Sequence, residues 1–456
     1  MNPIAARISR VLKEDTVLRR VLRNTSYLFS SQSATTVFSF VQSIFAARLL
    51  GVELLGLLGI ITTFVTNVNQ LFSFRMGEFI VRFMGKELND RNIDRAGAVV
   101  KAAALTEGIT SILAFVALYL LAPLGVSLFA GAYAGDPTVI GLVRLFGLSI
   151  LAQLTSETAN GILQITNHFR TQAAINLIQG GVTAALILVA FLIKADFLFV
   201  LWAYLIGKLI TGIAPILMAV LYLNRHLKAG WWRAPLSQLP SFKDMAKFAV
   251  STNLNGTVKM LATGSEALWV GLFLGTSAVG LYKVALGIVS PFMLPVSAFL
   301  ATTFPEITRS VVAKKWSELK QLLKRVSLIS LAWSAVGLLG TLLLGRWVLS
   351  TFYGADFVGG YSALVILILG FGVSNIVFWN RSLLLAFTRP NTPLLIMAGS
   401  MVVKIILSFA VIPAFGINGA AALLAGNLIL SVGAIAAIGL LLVRKSEKLE
   451  PELVQS

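Results

Sequence analysis

GSMVVKIILSFAVIP (399–413) is apolar throughout except for Lys404 and two serines, Ser400 and Ser408, placed four residues to either side of it. That spacing puts the three polar groups on one face of a helix. The surrounding run, 392–414, has the length of about 20 residues that crosses a bilayer as a helix. An ammonium at the centre of such a helix costs about 2.5–3.5 kcal/mol even on lenient insertion scales. Residues of this kind face a bundle interior or a watery cavity rather than lipid. The stretch therefore reads as one spanning helix of a larger bundle, with its polar face turned inward.

The rest of the chain extends that reading. Of its 456 residues 57% are hydrophobic and 12% charged, with mean hydropathy +0.86; a soluble domain carries about 25% charged residues. Twelve spans are expected, at roughly 25–50, 53–80, 98–122, 138–166, 172–194, 196–223, 242–273, 276–304, 326–351, 359–387, 392–414 and 417–443. The chain has no cysteine and two histidines, His168 and His226. Thiolate chemistry is excluded and a histidine metal cluster is disfavoured. No loop is long enough for a soluble catalytic domain, and no GxxxxGK[ST] motif is present, so neither an enzyme nor an ATP-driven pump is expected, and no cofactor or metal.

The net charge of +18 is a topology signal, not a nucleic-acid footprint. Twenty-seven basic residues fall at one set of span ends and four (Arg48, Arg144, Lys194 and Arg346) at the other. By the positive-inside rule both termini are cytoplasmic. Residues 1–24 are basic, with Ile4, Ile8 and Leu12 at helical spacing, and read as an amphipathic segment on the inner membrane surface.

The chain also echoes itself. RFMGKELNDRNIDRAGAVVKAAAL (82–105) parallels RSVVAKKWSELKQLLKRVSLISL (309–331), SLFAGAYAG (127–135) parallels STFYGADFVG (350–359), and NHFRTQAAINLIQGG (167–181) parallels AFTRPNTPLLIMAGS (386–400), at offsets of about 219 to 227 residues. Two pseudo-symmetric six-helix lobes around a central cavity follow, 25–223 and 242–443, joined by a cytoplasmic linker at 224–241 and ending in a tail at 444–456. The fold class is an all-α polytopic membrane protein.

Polar stripes mark the cavity. The seventh span carries Ser251, Asn255, Lys259, Thr263 and Glu266 at steps of four, four, four and three; the fourth carries Gln153, Glu157, Asn160 and Gln164; the first carries Gln32, Thr36, Ser39 and Ser43. The basic residues within spans are Arg75, Lys208, Lys259, Lys283, Arg381 and Lys404, and the acidic ones Glu78, Glu107, Glu157 and Glu266. Lysines on the seventh, eighth and eleventh spans make an electropositive centre suited to phosphate. Lys208 and Lys283 also have a reading as lysines that snorkel towards an interface. Arg75, Glu78 and Arg82 read as an ion-pair cluster at a helix end.

FAARLLGVELLGLLGI (45–60) and IPAFGINGAA (412–421), with STFYGADFVGGYSALVILILG (350–370) between them, resemble Wzx-type oligosaccharide flippases of the multidrug/oligosaccharidyl-lipid/polysaccharide superfamily. Ser408 stands where members of that family often carry asparagine. The resemblance implies movement of a polyprenyl-diphosphate-linked oligosaccharide from the cytoplasmic to the outer leaflet of a bacterial or archaeal inner membrane. On that reading Lys259, Lys283 and Lys404 neutralise the pyrophosphate and Arg381 guides it in. Asn255, Gln153, Asn160 and Gln32 hydrogen-bond sugars. Glu157, Glu266 or Glu107 exchange H⁺ or Na⁺. The implied partners are membrane lipids, a polysaccharide polymerase and glycosyltransferases. A multidrug and toxin exporter for cations is the alternative, disfavoured by the excess of buried bases; a glycan polymerase or ligase is disfavoured by the short outer loops.

Overall fold

A computed structural model describes residues 16–227, 230–239 and 241–454. Most of the basic N-terminal segment, 1–15, lies outside them, as do the last two residues of the tail. The described chain is helical throughout: α1 (Thr16–Phe72), α2 (Gly77–Asn89), α3 (Ile93–Phe129), α4 (Pro137–Ala152), α5 (Ser156–Ile165), α6 (Phe169–Leu192), α7 (Phe197–His226), α8 (Phe242–Thr263), α9 (Glu266–Leu274), α10 (Thr276–Phe292), α11 (Leu294–Val312), α12 (Trp316–Val348), α13 (Tyr361–Ile376), α14 (Asn380–Ala386) and α15 (Asn391–Val454). Several starts are set locally. The side chains of Asp136, Asp196 and Ser241 accept from the N–H groups of Thr138, Phe199 and Asp244 and so cap α4, α7 and α8.

Nine of the described helical stretches are long and apolar enough to cross a bilayer. Two of these contain a reversal. α1 breaks at Gly51, whose φ of 69° and ψ of −177° are open only to glycine. Ser43 and Gly59, eight residues to either side, both abut one turn of α10, at Gly287 and Lys283. A straight helix would hold them about 24 Å apart, so α1 is a hairpin. In α15 the break is at Gly416; Lys404 and Asn427, on opposite sides of it, both donate to the carbonyl of Ala262 at 2.6 and 3.3 Å. The expected seventh span, 242–273, is divided into α8 and α9 at Gly264–Ser265. α8 carries so many polar residues that it does not count among the nine.

The backbone repeats more clearly than the sequence. Among the described residues eleven have positive φ. Ten form pairs: Gly51 with Gly275, Arg91 with Lys314, Gly135 with Gly354, Asn167 with Thr388, and Lys194 with Gly416. Their separations, 219 to 224 residues, match the offset of the sequence echoes. The eleventh, Gly230, lies in the linker. The non-glycine members all end a helix in the same way: the next N–H reaches back five residues, as in His168 to Leu163 and Arg389 to Leu384.

The second arm of α1 crosses α10 with the same symmetry. A Cβ on Gly56 would lie 1.8 Å from the carbonyl oxygen of Thr276, and one on Gly280 would lie 2.0 Å from that of Val52. Each contact maps onto the other by a shift of 224 residues. The main apolar core surrounds this crossing, with Leu57, Ile61, Val279, Ala285 and Leu364 buried in it. A smaller core closes one end of each half, around Ile80, Ile162 and Leu223 in the first and around Ile307, Leu319 and Leu383 in the second. Outward leucines stay bare: Leu120 is 71% and Leu343 79% exposed, as the lipid-facing side of a bundle requires.

Candidate functional site

The two arms of α1, together with α7 and α10, enclose a cavity of about 510 Å³. Its polar lining includes Ser43, Thr63, Asn67, Gln179, Lys208 and Lys283. Gly59 makes room for the lysine stem: a Cβ there would stand 3.0 Å from Cε of Lys283. A narrower chamber of about 100 Å³ shares Thr66 and Lys208 with the first and continues past Gln70 and Gln153 to Arg75, Glu107 and Glu157. Neither Lys208 nor Lys283 has an ion pair within 4.0 Å or a side-chain hydrogen bond among the described residues. Two half-buried ammonium groups with no ion pair of their own, in one chamber lined by hydroxyls and amides, are an arrangement that can hold an anion; Glu266 acts on Lys283 only from beyond ion-pair distance.

Helix breaks build the narrow end. α1 stops at Phe72, and the non-helical residues 73–76 bring Arg75 round. Its guanidinium reaches Glu157 Oε1 at 2.6 Å and Gln70 Oε1 at 3.0 Å, while its backbone N–H donates to Asn253 Oδ1 on α8 at 2.7 Å. The fourth span is interrupted at Gln153–Thr155, which leaves the N-terminus of α5 uncapped by its own residues. Glu107, buried on α3, fills that role. Its carboxylate accepts from the N–H groups of Glu157 and Thr158, at 3.0 and 2.8 Å, and from Thr158 Oγ1 at 2.6 Å. A carboxylate at a helix N-terminus is favoured by both hydrogen bonding and the helix dipole.

Of the expected site residues, Lys283, Gln153, Glu107 and Glu157 line these chambers. Lys404 does not. It is 4% exposed, and Nζ donates to Glu266 Oε1 at 2.7 Å, to Ala262 O at 2.6 Å and to Leu261 O at 3.1 Å. Its three donors are taken by the chain itself, so the structure does not bring this expected pyrophosphate anchor to the chambers. Glu266, expected as an exchangeable carboxylate, lies beside it as the other half of a buried pair. The seventh-span stripe fails to reach Glu266 because the helix restarts there. Asn255 donates to its own helix at Ser251 O, and Asn253 makes the contact across helices instead. Asn160 accepts from Gln172 Nε2 through both its carbonyls, at 3.0 and 3.2 Å, and so ties α5 to α6. Lys259, Arg381 and Gln32 are exposed and line neither chamber.

Lys208 and Arg75 are the residues that sequence reasoning undervalued. Lys208 had one signal, its position about a dozen residues from either end of its span. Arg75 had none: its partner is 82 residues away, and nothing in FSFRMGEF (72–79) marks a helix break. Arg82, expected in the same cluster, lies over the ring of Phe248 at 4.7 Å.

Comparison with known proteins gives four further findings. A family model described as "Polysaccharide biosynthesis protein" matches residues 21–311. The probable flippase AglR of Haloferax volcanii is 28% identical over 189 residues, which cover 41% of this chain and 39% of that protein, so the match spans about two-fifths of the relative. Among solved structures, an inward-facing multidrug resistance MATE family transporter of the MOP superfamily superposes with a TM-score of 0.72 at 14% identity, covering 91% of this chain and 96% of that one. Lipid II flippase MurJ, in an inward closed conformation, gives 0.68 at 14% identity, covering 91% of each chain. At such identity the likeness is one of fold: a multi-pass helical membrane protein with a transporter architecture.

Proposed function

The chain belongs to the polysaccharide biosynthesis protein family, and on that premise we propose that it is a flippase for a polyprenyl-diphosphate-linked oligosaccharide. The observation that carries this reading is the cavity holding Lys208 and Lys283 with no ion pair of their own. A diphosphate supplies the missing charge, and the hydroxyls and amides around it, Thr63, Asn67 and Gln179 among them, suit sugar hydroxyls. The cationic export of the alternative reading would bring a like charge against both lysines.

In this proposal twelve spans form two six-helix lobes, with both termini on the cytoplasmic side of a cytoplasmic membrane. The paired left-handed turns support the two lobes, the hairpins at Gly51 and Gly416 support the count, and the basic loops support the orientation. Alternating access moves the headgroup while the prenyl tail stays in lipid. H⁺ or Na⁺ exchanging at Glu107 and Glu157, which share the narrow chamber, resets the cycle. Polysaccharide polymerase and glycosyltransferases are its expected neighbours.

The test is translocation of a fluorescent polyprenyl-diphosphate sugar in proteoliposomes. A charge-assisted hydrogen bond contributes about 1.5–3 kcal/mol, so each lysine-to-alanine change lowers transport at limiting substrate by about tenfold to a hundredfold. Full transport by a folded Lys208→Ala/Lys283→Ala variant overturns the assignment.

A further inference from the structure

A second cavity, of about 1000 Å³, lies away from the central one. One wall is the turn from α2 to α3 with the first turn of α3; the other is the linker, with its short helical turns at Trp231–Arg233 and Leu236–Gln238. The linker is docked, not loose. The carbonyl of Trp231 stands 3.0 Å from the position of a Cβ on Gly97, Lys101 Nζ donates to Ala234 O at 3.4 Å, and Trp231 Nε1 donates to Asn224 Oδ1 at 3.1 Å.

Three arginines line this cavity: Arg91 and Arg95 from one wall and Arg233 from the other. None has a carboxylate within 4.0 Å among the described residues, and one acidic side chain, Asp94, shares the lining. Topology alone does not account for the arrangement. The positive-inside rule asks for basic loops, which solvated side chains on separate surfaces satisfy equally well. Here segments about 140 residues apart in the chain bring three exposed guanidinium groups to the walls of one cavity, where a single anion can meet more than one of them. Arg95 also sits in the first turn of α3, where a cation opposes the helix dipole. Guanidinium groups match phosphate oxygens in a planar, two-point fashion.

We propose that this cavity binds a phosphate- or diphosphate-bearing ligand, at a site separate from the central chamber. The ligand reaches it either as an anionic lipid headgroup or as a soluble phosphate compound.

The experiment is calorimetric titration of inorganic pyrophosphate into the full chain, held in nanodiscs of phosphatidylcholine. A saturable site is expected to persist in Lys208→Ala/Lys283→Ala, which removes the central lysines, and to weaken at least tenfold when Arg91→Gln/Arg95→Gln/Arg233→Gln is added in that background. Where the triple variant does not fold, as judged by size-exclusion chromatography, Arg233→Gln alone is expected to weaken binding at least threefold. Repeating the titration with phosphatidylglycerol in the disc separates the sources: loss of pyrophosphate affinity identifies the headgroup as occupant, and unchanged affinity identifies a soluble phosphate. Equal binding by the double lysine variant with and without the arginine substitutions, or no binding in the double lysine variant, overturns the proposal. Because transport is read separately on the central lysines, failure here leaves the flippase reading standing, and the converse also holds.

Discussion

Lys404→Met is the substitution that most directly separates structure from transport. The methionine keeps the length of the stem and removes the ammonium. What stays behind is Glu266, 6% exposed, without its hydrogen-bonded cation, and the carbonyl of Leu261 without its side-chain donor, while that of Ala262 keeps only Asn427. Breaking a buried pair from one side typically costs about 3–5 kcal/mol, whereas replacing both partners with groups of similar shape is often close to neutral. The expectation is therefore a loss of about 3 kcal/mol or more for Lys404→Met, a similar loss for Glu266→Gln, and recovery of most of it in Lys404→Met/Glu266→Gln. Titration with SDS, followed by tryptophan fluorescence, reads these differences, and the double-mutant cycle isolates the coupling. Transport by the double variant is expected to be retained. A single variant within about 1 kcal/mol of wild type would refute the burial argument. A stable double variant that transports nothing would return Lys404 to the substrate site.

Three further outcomes follow from the geometry. Gly56→Ala and Gly280→Ala each drive a methyl into a carbonyl oxygen; each is expected to lower stability by about 1–3 kcal/mol, and markedly unequal losses would contradict the reciprocal crossing. Gly51→Ala, at φ 69° and ψ −177°, is expected to cost about 1–3 kcal/mol of strain in the same unfolding assay, although open space surrounds the position. Glu107→Gln keeps one acceptor but loses the charge at the start of α5; a loss of about 0.5–2 kcal/mol is expected, on the scale of a helix cap, and no change in unfolding midpoint would sink the capping role.

The lengths of the apolar runs and the sign of the loops are legible in the sequence because lipid imposes them on composition directly. The repeat is legible for a related reason: turns such as NDRNID (89–94) and VAKKWSE (312–318) need the same left-handed residue at the same place. The site was less legible. Periodicity assigns a face only while the helix continues, and the breaks at Ser73, Gln153 and Gly264 come without proline or a run of glycines. They persist because distant groups satisfy the freed backbone: Glu107 serves α5 and Asn253 serves the N–H of Arg75. Lys404 was placed correctly on an inward face. What the sequence could not supply was the identity of the group across from it, which belongs to a helix some 140 residues away.

The crossing of Gly56 and Gly280 has a mechanical meaning. A contact whose two halves are images of each other lies at a fulcrum, where opposed rotations of the two sides produce the least displacement. Leverage grows with distance from it. Near the fulcrum, backbones can press together with no side chain between them, as these two glycines allow. Beyond the end of α1 the two sides meet again through side chains: Asn253 accepts from the N–H of Arg75, and Phe248 packs against Phe83 and Arg82. Backbone meets backbone at the pivot and side chains make the contacts at the end of the lever, so any opposed rotation of the two sides would strain the distal contacts first.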